Sequence, residues 1–116
     1  MERNHATQKL SLEVKTSSGL KVIYINNILF IEAAKKFSIV HFADNNLITY
    51  HSLKWYMNYL LKPDFFRCHN SFIVNCQSIE CYCSKEIRLK NNDKVPISRI
   101  RLRSLIENLK SLQYQA

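Results

Sequence analysis

Residues 65–75 read FFRCHNSFIVN, and they carry the clearest pattern in the chain. Apolar residues at both ends of this stretch enclose a polar run at 69–71. A core built from the apolar residues would hold that polar run on a short exposed segment. Asparagine and arginine side chains can pair with base edges, and serine or lysine suits phosphate. Alternatively, Asn70 and Asn75 only cap or turn the backbone.

The chain on both sides of this stretch has the patterns of a β-protein. Leu10, Leu12 and Val14 alternate with polar residues, a turn follows at 16–19, and a second strand at 20–24 completes a predicted hairpin. Further apolar, β-branched or aromatic runs of strand length cover 28–33, 37–42, 47–51, 78–83, 86–90 and 94–98. Together these patterns predict a mostly β fold.

Two segments have helical periodicity instead. Residues 52–62 begin with Ser52, a suitable N-cap, repeat apolar residues at i, i+3, i+4 and i+7, and end before Pro63. Residues 98–112 begin with Ser98 as the N-cap candidate. Their apolar stripe consists of Leu102, Leu105, Ile106, Leu109 and Leu112. We therefore predict a short helix in each segment.

A row of basic residues accompanies the second helix. Arg99, Arg103 and Lys110 fall within a narrow arc beside the apolar stripe, because offsets of 4 and 11 residues return nearly to one helix face. The arc is either a solvated face or a phosphate-facing one.

Length and charge limit the classes of function. The chain has 116 residues, which corresponds to one domain and is too short for a catalytic barrel. Its formal net charge is +8, from 17 basic and nine acidic residues. Such an excess favours an anionic partner, and nucleic acid is the first candidate.

Catalytic, metal-binding and membrane-spanning motifs are missing from the sequence. His69 and Ser71 would need an orienting acid and an oxyanion hole, and the single glycine cannot form a phosphate-binding loop. The four cysteines lack the C-x2-C or C-x4-C spacing of a zinc knuckle. No apolar run approaches the roughly 18 residues of a membrane span, and residues 1–5 do not resemble a signal peptide. We expect a cytoplasmic protein that is not an enzyme, with free thiols, no metal, no cofactor and no membrane partner.

Three motifs, in order along the chain, resemble the LytTR-type DNA-binding domain of bacterial response regulators. They are Ile28-x-x-Ile31-Glu32-Ala33, the FRCHNSFIVN run at 66–75, and Val95-Pro96-Ile97-Ser98-Arg99. The resemblance covers roughly residues 10–110 and, from Cys68 to Asn75, is closest to the accessory-gene quorum-sensing regulators of that family. It implies about ten strands with short helices near 52–62 and 98–112, and loops that enter successive major grooves at tandem direct repeats.

The resemblance also implies roles for individual residues. It places base contacts at Asn70, Arg99 and Lys36. Lys36 stands where the accessory-gene regulators have histidine, and many family members have Arg or Lys in place of Asn70, so the preferred DNA sequence need not follow theirs. Phosphate contacts are expected from Lys35, Arg67, His69, Ser71, Lys90, Lys94, Arg101 and Arg103.

Family members typically carry a phosphoacceptor receiver domain ahead of the DNA-binding module. Here residues 1–9 read as a polar tail and residues 10–116 as a single LytTR-like domain, with no receiver domain in this chain. The chain is either a fragment of a longer regulator or a free-standing module.

We interpret the protein as a two-component transcription regulator that binds double-stranded promoter DNA, alongside a second copy where the site is a tandem repeat. The alternatives are a basic protein-interaction module and an RNA-binding domain. RNA recognition commonly uses exposed aromatic residues, and here the aromatics fall mostly on positions expected to be buried.

Overall fold

The computed structural model describes residues 10–115, with side chains through Gln113, and has ten strands and two α-helices in that range. The strands are β1 (Ser11–Thr16), β2 (Gly19–Tyr24), β3 (Phe30–Ala34), β4 (Phe37–His41), β5 (Asn46–Thr49), β6 (Phe65–His69), β7 (Phe72–Asn75), β8 (Ile79–Tyr82), β9 (Glu86–Leu89) and β10 (Lys94–Pro96). The helices are α1 (Leu53–Met57) and α2 (Leu102–Gln115), and short 3-10 turns cover Ile25–Asn27, Cys76–Ser78 and Arg99–Arg101. The predicted mostly β fold of about ten strands is confirmed, and the predicted tail at 1–9 lies outside the described residues.

Three antiparallel sheets make up the architecture. The central sheet has five strands in the order β5-β4-β3-β7-β6. β1 and β2 form a separate hairpin, and β8, β9 and β10 form a three-stranded sheet with β9 in the middle. Because β3 pairs with both β4 and β7, the turns that follow β3 and β6 lie at the same end of the central sheet.

Two hydrophobic cores hold these sheets together. The first joins the β1–β2 hairpin and α1 to the central sheet, and its fully buried members include Val14, Ile31 and Tyr56. The second joins β6 and β7 to the three-stranded sheet and α2, through residues such as Val74 and Leu105. Each fully buried aliphatic or aromatic side chain contributes about 1.5–3 kcal/mol. Apolar and polar residues alternate along the strands, so this free energy of burial favours the fold in which the apolar face of each sheet is covered.

Helix α1 begins where the sequence predicts, but it is shorter. The Ser52 hydroxyl accepts a hydrogen bond from the Trp55 backbone N–H at 3.0 Å, which confirms the N-cap. The helix ends at Met57, not at Leu61 or Lys62, because the Asn58 N–H already donates to the Trp55 carbonyl in an i→i+3 bond.

Helix α2 begins later and ends later than the predicted 98–112 segment. Residues Arg99–Arg101 form a 3-10 turn, and the α-helix follows from Leu102 to Gln115. The predicted Ser98 cap is wrong, because Ser98 makes no side-chain cap bond and its hydroxyl donates to the Cys68 carbonyl at 3.2 Å. Four residues of the predicted apolar stripe pack in the second core, namely Leu102, Leu105, Leu109 and Leu112, and Leu105 is fully buried. Ile106 instead lines a surface depression beside α2.

All four cysteines lie within the described residues, 10–115, and are free thiols. Cys68 and Cys76 are buried free thiols, whereas Cys81 and Cys83 are exposed. Within that range no three His, Cys, Asp or Glu side chains group as metal ligands would. None of its helices is long and apolar enough to cross a membrane.

Candidate nucleic-acid interface

Three segments from distant parts of the chain meet at one end of the central sheet. The Ala33 N–H donates to the Ser71 carbonyl at 2.8 Å, which joins the end of β3 to the β6–β7 turn. The Ser98 N–H donates to the Cys68 carbonyl at 2.9 Å, which joins the start of the 3-10 turn to β6. We call this surface the basic edge. It consists of Lys35, Lys36, Arg67, His69, Asn70, Ser71, Arg99, Ile100 and Arg101.

The β3–β4 turn places two lysines at this edge. Ala34 pairs with Phe37, so Lys35 and Lys36 are the two turn residues, and both are exposed. Lys35 has a φ of 58°, in the left-handed region that costs a non-glycine residue about 1–2 kcal/mol. The tight turn places the backbone of both lysines at the end of the sheet.

The β6–β7 turn presents Asn70 with its neighbours held in place. The Ser71 N–H donates to Nδ1 of His69 at 3.0 Å, and the His69 ring packs edge-on against Phe72. Because Nδ1 accepts, the neutral imidazole carries its proton on Nε2, where it can donate to a phosphate oxygen. The side chain of Asn70 is exposed, while His69 and Ser71 are half-buried.

Two arginines fasten the Asn70 turn to the segment before α2. Arg67 donates from Nη2 to the Asn70 carbonyl at 2.6 Å. Arg101 donates from Nη1 to the Arg67 carbonyl at 2.9 Å and from Nη2 to Oδ1 of Asn70 at 3.1 Å. Both arginines are half-buried, and together they fix the backbone and the side chain of Asn70.

No ion pair in the described part of the chain involves the basic edge. The close pairs there are Lys94 with Glu86 and the hydrogen-bonded His41 with Glu32, and neither includes a residue of that edge. Burial, and then the charge of Arg101, lower the pKa of the Arg67 guanidinium. Its Nε is buried without a hydrogen-bond partner. Two neighbouring guanidinium groups without a counter-ion favour an anionic ligand.

Arg99 and Ile100 protrude from the 3-10 turn. Arg99 is exposed, and Ile100 is 85% exposed. Arg103 is also exposed, one helical turn further on, and lines a shallow surface depression with Arg99, Lys110 and the acidic Glu107. The predicted basic row along α2 is therefore a surface feature that starts at the basic edge.

Two predicted phosphate contacts are not brought to this surface. The Lys90 N–H donates to the Ser78 carbonyl at 2.9 Å, beyond the end of β7 that lies away from Asn70. Lys94 pairs with Arg88 next to the same β9–β10 turn, and its ammonium lies 3.9 Å from a Glu86 carboxylate oxygen. The structure therefore separates Lys90 and Lys94 from the remaining predicted residues.

Aromatic residues are less uniformly buried than the sequence predicts. Phe37 and Tyr50 are 43% and 45% exposed, and their ring centroids lie 5.1 Å apart. They are next to the Lys35–Lys36 turn, because Phe37 begins β4. Tyr24 and Tyr82 are exposed too. The alternation of β4 and β5 does not show whether their outer face is covered, and Phe37, Ile48 and Tyr50 on that face are exposed.

Asn70 and Asn75, which the sequence predicts either to contact DNA or to cap the backbone, differ in their surroundings. Asn75 is buried, its Nδ2 donates to the Ile28 carbonyl at 2.8 Å, and its Oδ1 accepts from the Gln77 N–H at 2.9 Å. It is a structural cap. Asn70 is exposed and receives its side-chain bond from Arg101. The sequence offers no signal for that bond, because its partners are 31 residues apart.

Comparisons with known proteins identify the family of the domain. The family model for the LytTr DNA-binding domain matches residues 18–110. Accessory gene regulator protein A of Staphylococcus aureus is 34% identical over 87 residues, and that of Staphylococcus epidermidis is 33% identical over 87 residues. These matches cover 72% of this chain but 36% of each regulator, so the chain spans about a third of their length.

A solved structure supports the same fold. The LytTr DNA-binding domain of a response regulator from Bacillus cereus superposes with a TM-score of 0.74 at 26% sequence identity. The superposition covers 87% of this chain and 97% of that domain.

Proposed function

Because the chain belongs to the family of LytTr DNA-binding domains, we propose that it regulates transcription by reading double-stranded promoter DNA with its basic edge. The observation that carries this proposal is the convergence of the β3–β4 turn, the β6–β7 turn and the 3-10 turn at one end of the central sheet. Phosphate contacts position such a surface, and base contacts give it sequence preference.

Asn70 and Arg99 are the proposed base readers on this surface. Asn70 is exposed and orientated by Arg101, so its amide is preorganised before DNA arrives. Arg99 is exposed on a separate segment, and its planar guanidinium matches guanine O6 and N7 in the major groove. Lys36, on the third segment, is the remaining base contact. Three separate segments suit a protein that reads more than one groove of a tandem repeat, with a second copy on the second repeat.

The residues predicted to contact phosphate have different roles in this proposal. Lys35, His69 and Ser71 flank the proposed base readers and have donors suited to phosphate oxygens. Arg67 and Arg101 already donate to protein acceptors, so we assign them chiefly to positioning Asn70 and to the local positive field. Arg103 extends the field along α2. We place Lys90 and Lys94 outside the surface because their turn lies beyond the far end of β7.

The wider role follows from the relatives. Accessory gene regulator protein A is about three times as long as the matching part, and the Bacillus cereus domain is described as part of a response regulator. We infer that this chain supplies the DNA-binding step of a comparable two-component regulator and carries no catalytic activity itself.

A panel of nucleic acids tests the function. The preferred duplex is first selected from random double-stranded DNA with the purified chain, because the target promoter is not known. Binding is then compared on that duplex, on each of its single strands, and on RNA of the same sequence. Preference for the duplex, with weaker binding to a scrambled duplex, supports the proposal.

The exposed Phe37 and Tyr50 rings make single-stranded nucleic acid the alternative to exclude. Tighter binding to a single strand or to RNA, abolished by Phe37→Ala, would refute duplex recognition. Equal, weak binding to every polymer would favour an acidic protein partner instead.

A further inference from the structure

We propose that Ile100 is a specificity-determining residue that contacts the C5-methyl group of a thymine next to the base pair read by Arg99. This inference rests on the proposed DNA-binding function and adds a chemical group that the surface recognises. Ile100 is 85% exposed, the highest value among the large apolar residues of the described chain. Its neighbours on both sides, Arg99 and Arg101, belong to the basic edge.

The position of Ile100 within the 3-10 turn places it beside the base readers. Consecutive side chains in a 3-10 turn point about 120° apart, and Arg101 points toward Asn70, to which it donates a hydrogen bond. Ile100 therefore points away from that contact. Consecutive Cα atoms are about 3.8 Å apart, close to the roughly 3.4 Å between stacked base pairs. The proposal places the Ile100 side chain against the base pair read by Arg99 or an adjacent one.

The chemistry of the major groove identifies the partner. Each base edge there presents hydrogen-bond donors, acceptors or both, and thymine adds the apolar C5-methyl group. An isoleucine has no donor or acceptor in its side chain, so it gains from DNA only by covering apolar surface. A second copy of this chain is a poor occupant, because it would bring another +8 protein against Arg99 and Arg101.

Replacement of thymine by deoxyuridine removes the methyl group and leaves base pairing unchanged. On the selected duplex, one thymine at a time is replaced, and the dissociation constant is measured at fixed salt. We expect one or two positions, adjacent to the base pair at which Arg99→Lys relaxes selectivity, to weaken binding about fourfold, which corresponds to about 0.8 kcal/mol for one buried methyl group.

Ile100→Ala, measured on the thymine and deoxyuridine duplexes, completes a double-mutant cycle. It should weaken binding to the thymine duplex by a similar factor and abolish the response to deoxyuridine at those positions. Because Ile100 is so exposed, the variant should keep the melting temperature of the parent. Ile48→Ala is the matched control, since Ile48 is 54% exposed on β5 and should leave both duplexes unaffected.

Two results would overturn the assignment while leaving duplex recognition intact. One is sequence-specific binding that no deoxyuridine substitution changes. The other is a loss in Ile100→Ala that is equal on thymine and deoxyuridine duplexes, which would indicate contact with a sugar or a second copy. Equal binding of selected and scrambled duplexes would instead refute the proposed function, and this inference with it.

Discussion

Arg101 donates from Nη2 to Oδ1 of Asn70 at 3.1 Å, across 31 residues of sequence. The same guanidinium donates from Nη1 to the Arg67 carbonyl, so one side chain fixes both the strand before the turn and the amide at its tip. With Oδ1 engaged, the two N–H donors of the Asn70 amide are the groups left for DNA, together with one remaining lone pair of Oδ1.

This bond predicts that Arg101 controls sequence preference without reading a base. Arg101→Lys keeps the charge but cannot donate to both acceptors in the fork geometry of a guanidinium. We expect about tenfold weaker binding to the selected duplex, or about 1.4 kcal/mol, with much less change on a scrambled duplex. Binding to both duplexes at one salt concentration measures the difference.

Arg103→Lys is the control for that experiment, because Arg103 is exposed on α2 and makes no hydrogen bond to the Asn70 turn among the described contacts. If Arg101→Lys weakens selected and scrambled duplexes by the same factor, Arg101 is a phosphate contact and not a positioning residue.

Asn70→Ala should lose about 1–3 kcal/mol of binding on the selected duplex if the amide pairs with a base edge, while nonspecific binding changes little. Folding should survive, because the buried Phe66 and Val74 anchor the two strands. Gel shifts on selected and scrambled duplexes, with a melting curve for each protein, test this. Equal losses on the two duplexes would make Asn70 structural or phosphate-bound.

Salt dependence should separate the two groups of lysines. Each phosphate contact contributes about −0.9 to the slope of log K against log salt concentration. Lys35→Ala should therefore make the slope less negative by about one, whereas Lys90→Ala combined with Lys94→Ala should leave it nearly unchanged, because these two lie away from the basic edge. A larger effect from the Lys90 and Lys94 pair would indicate that DNA binds another face of the protein.

The four thiols should differ in reactivity. Burial raises the pKa of both Cys68 and Cys76 to about 12, whereas Cys81 and Cys83 are exposed. Iodoacetamide at pH 8 should modify two thiols of the folded chain, and none in a variant with Cys81→Ser and Cys83→Ser. Mass spectrometry counts the modified sites. Rapid modification of Cys68 in the folded protein would contradict its burial.

The same two thiols set an alkaline limit on stability. The pKa of each thiol is near 9.0 in the unfolded chain and about 12 in the folded chain. Between these pH values the folded state therefore binds more protons than the unfolded state. Stability should be retained below about pH 9 and fall as the pH rises toward 12. Burial also raises the pKa of Tyr56, which acts in the same direction. Melting temperatures measured from pH 8 to pH 11 should therefore decrease, and a rise would contradict this sign.

Strand positions could be predicted because alternation is a local property of the sequence. Gly19–Tyr24 and Phe37–His41, for example, lie within one or two residues of their predicted bounds. Helix ends were predicted less well. The apolar pattern of 52–62 continues past Met57, but the last turn tightens into i→i+3 bonds that periodicity does not reveal.

The candidate site could be predicted in part. The family resemblance indicated Asn70, Arg99 and Lys36, and the fold brings their three segments together. The links that hold the segments could not be predicted, because the bonds from Ser98 to Cys68 and from Arg101 to Arg67 span 30 and 34 residues. Such contacts depend on the packing of β6 against α2, which no local pattern encodes.

Arg99 should be a base reader, and Arg99→Lys distinguishes that role from a surface charge. Lysine keeps the positive charge but lacks the planar fork that matches guanine O6 and N7. A base-reading role therefore predicts a loss of about 1–3 kcal/mol of discrimination at one or two base pairs, with a nearly unchanged salt slope. The measurement is competition between the selected duplex and its single-base variants.

Arg103 supplies the internal control for Arg99. It is exposed one helical turn further along α2, beside the same depression, so Arg103→Ala should weaken all duplexes alike and reduce the salt slope by about one. Arg99 lies on the 3-10 turn that Ser98 fixes to β6, so its backbone should not move when only the side chain changes. If Arg99→Lys binds the selected duplex as tightly and as selectively as the parent, Arg99 contacts phosphate or solvent, and recognition rests on the Asn70 and Lys36 turns alone.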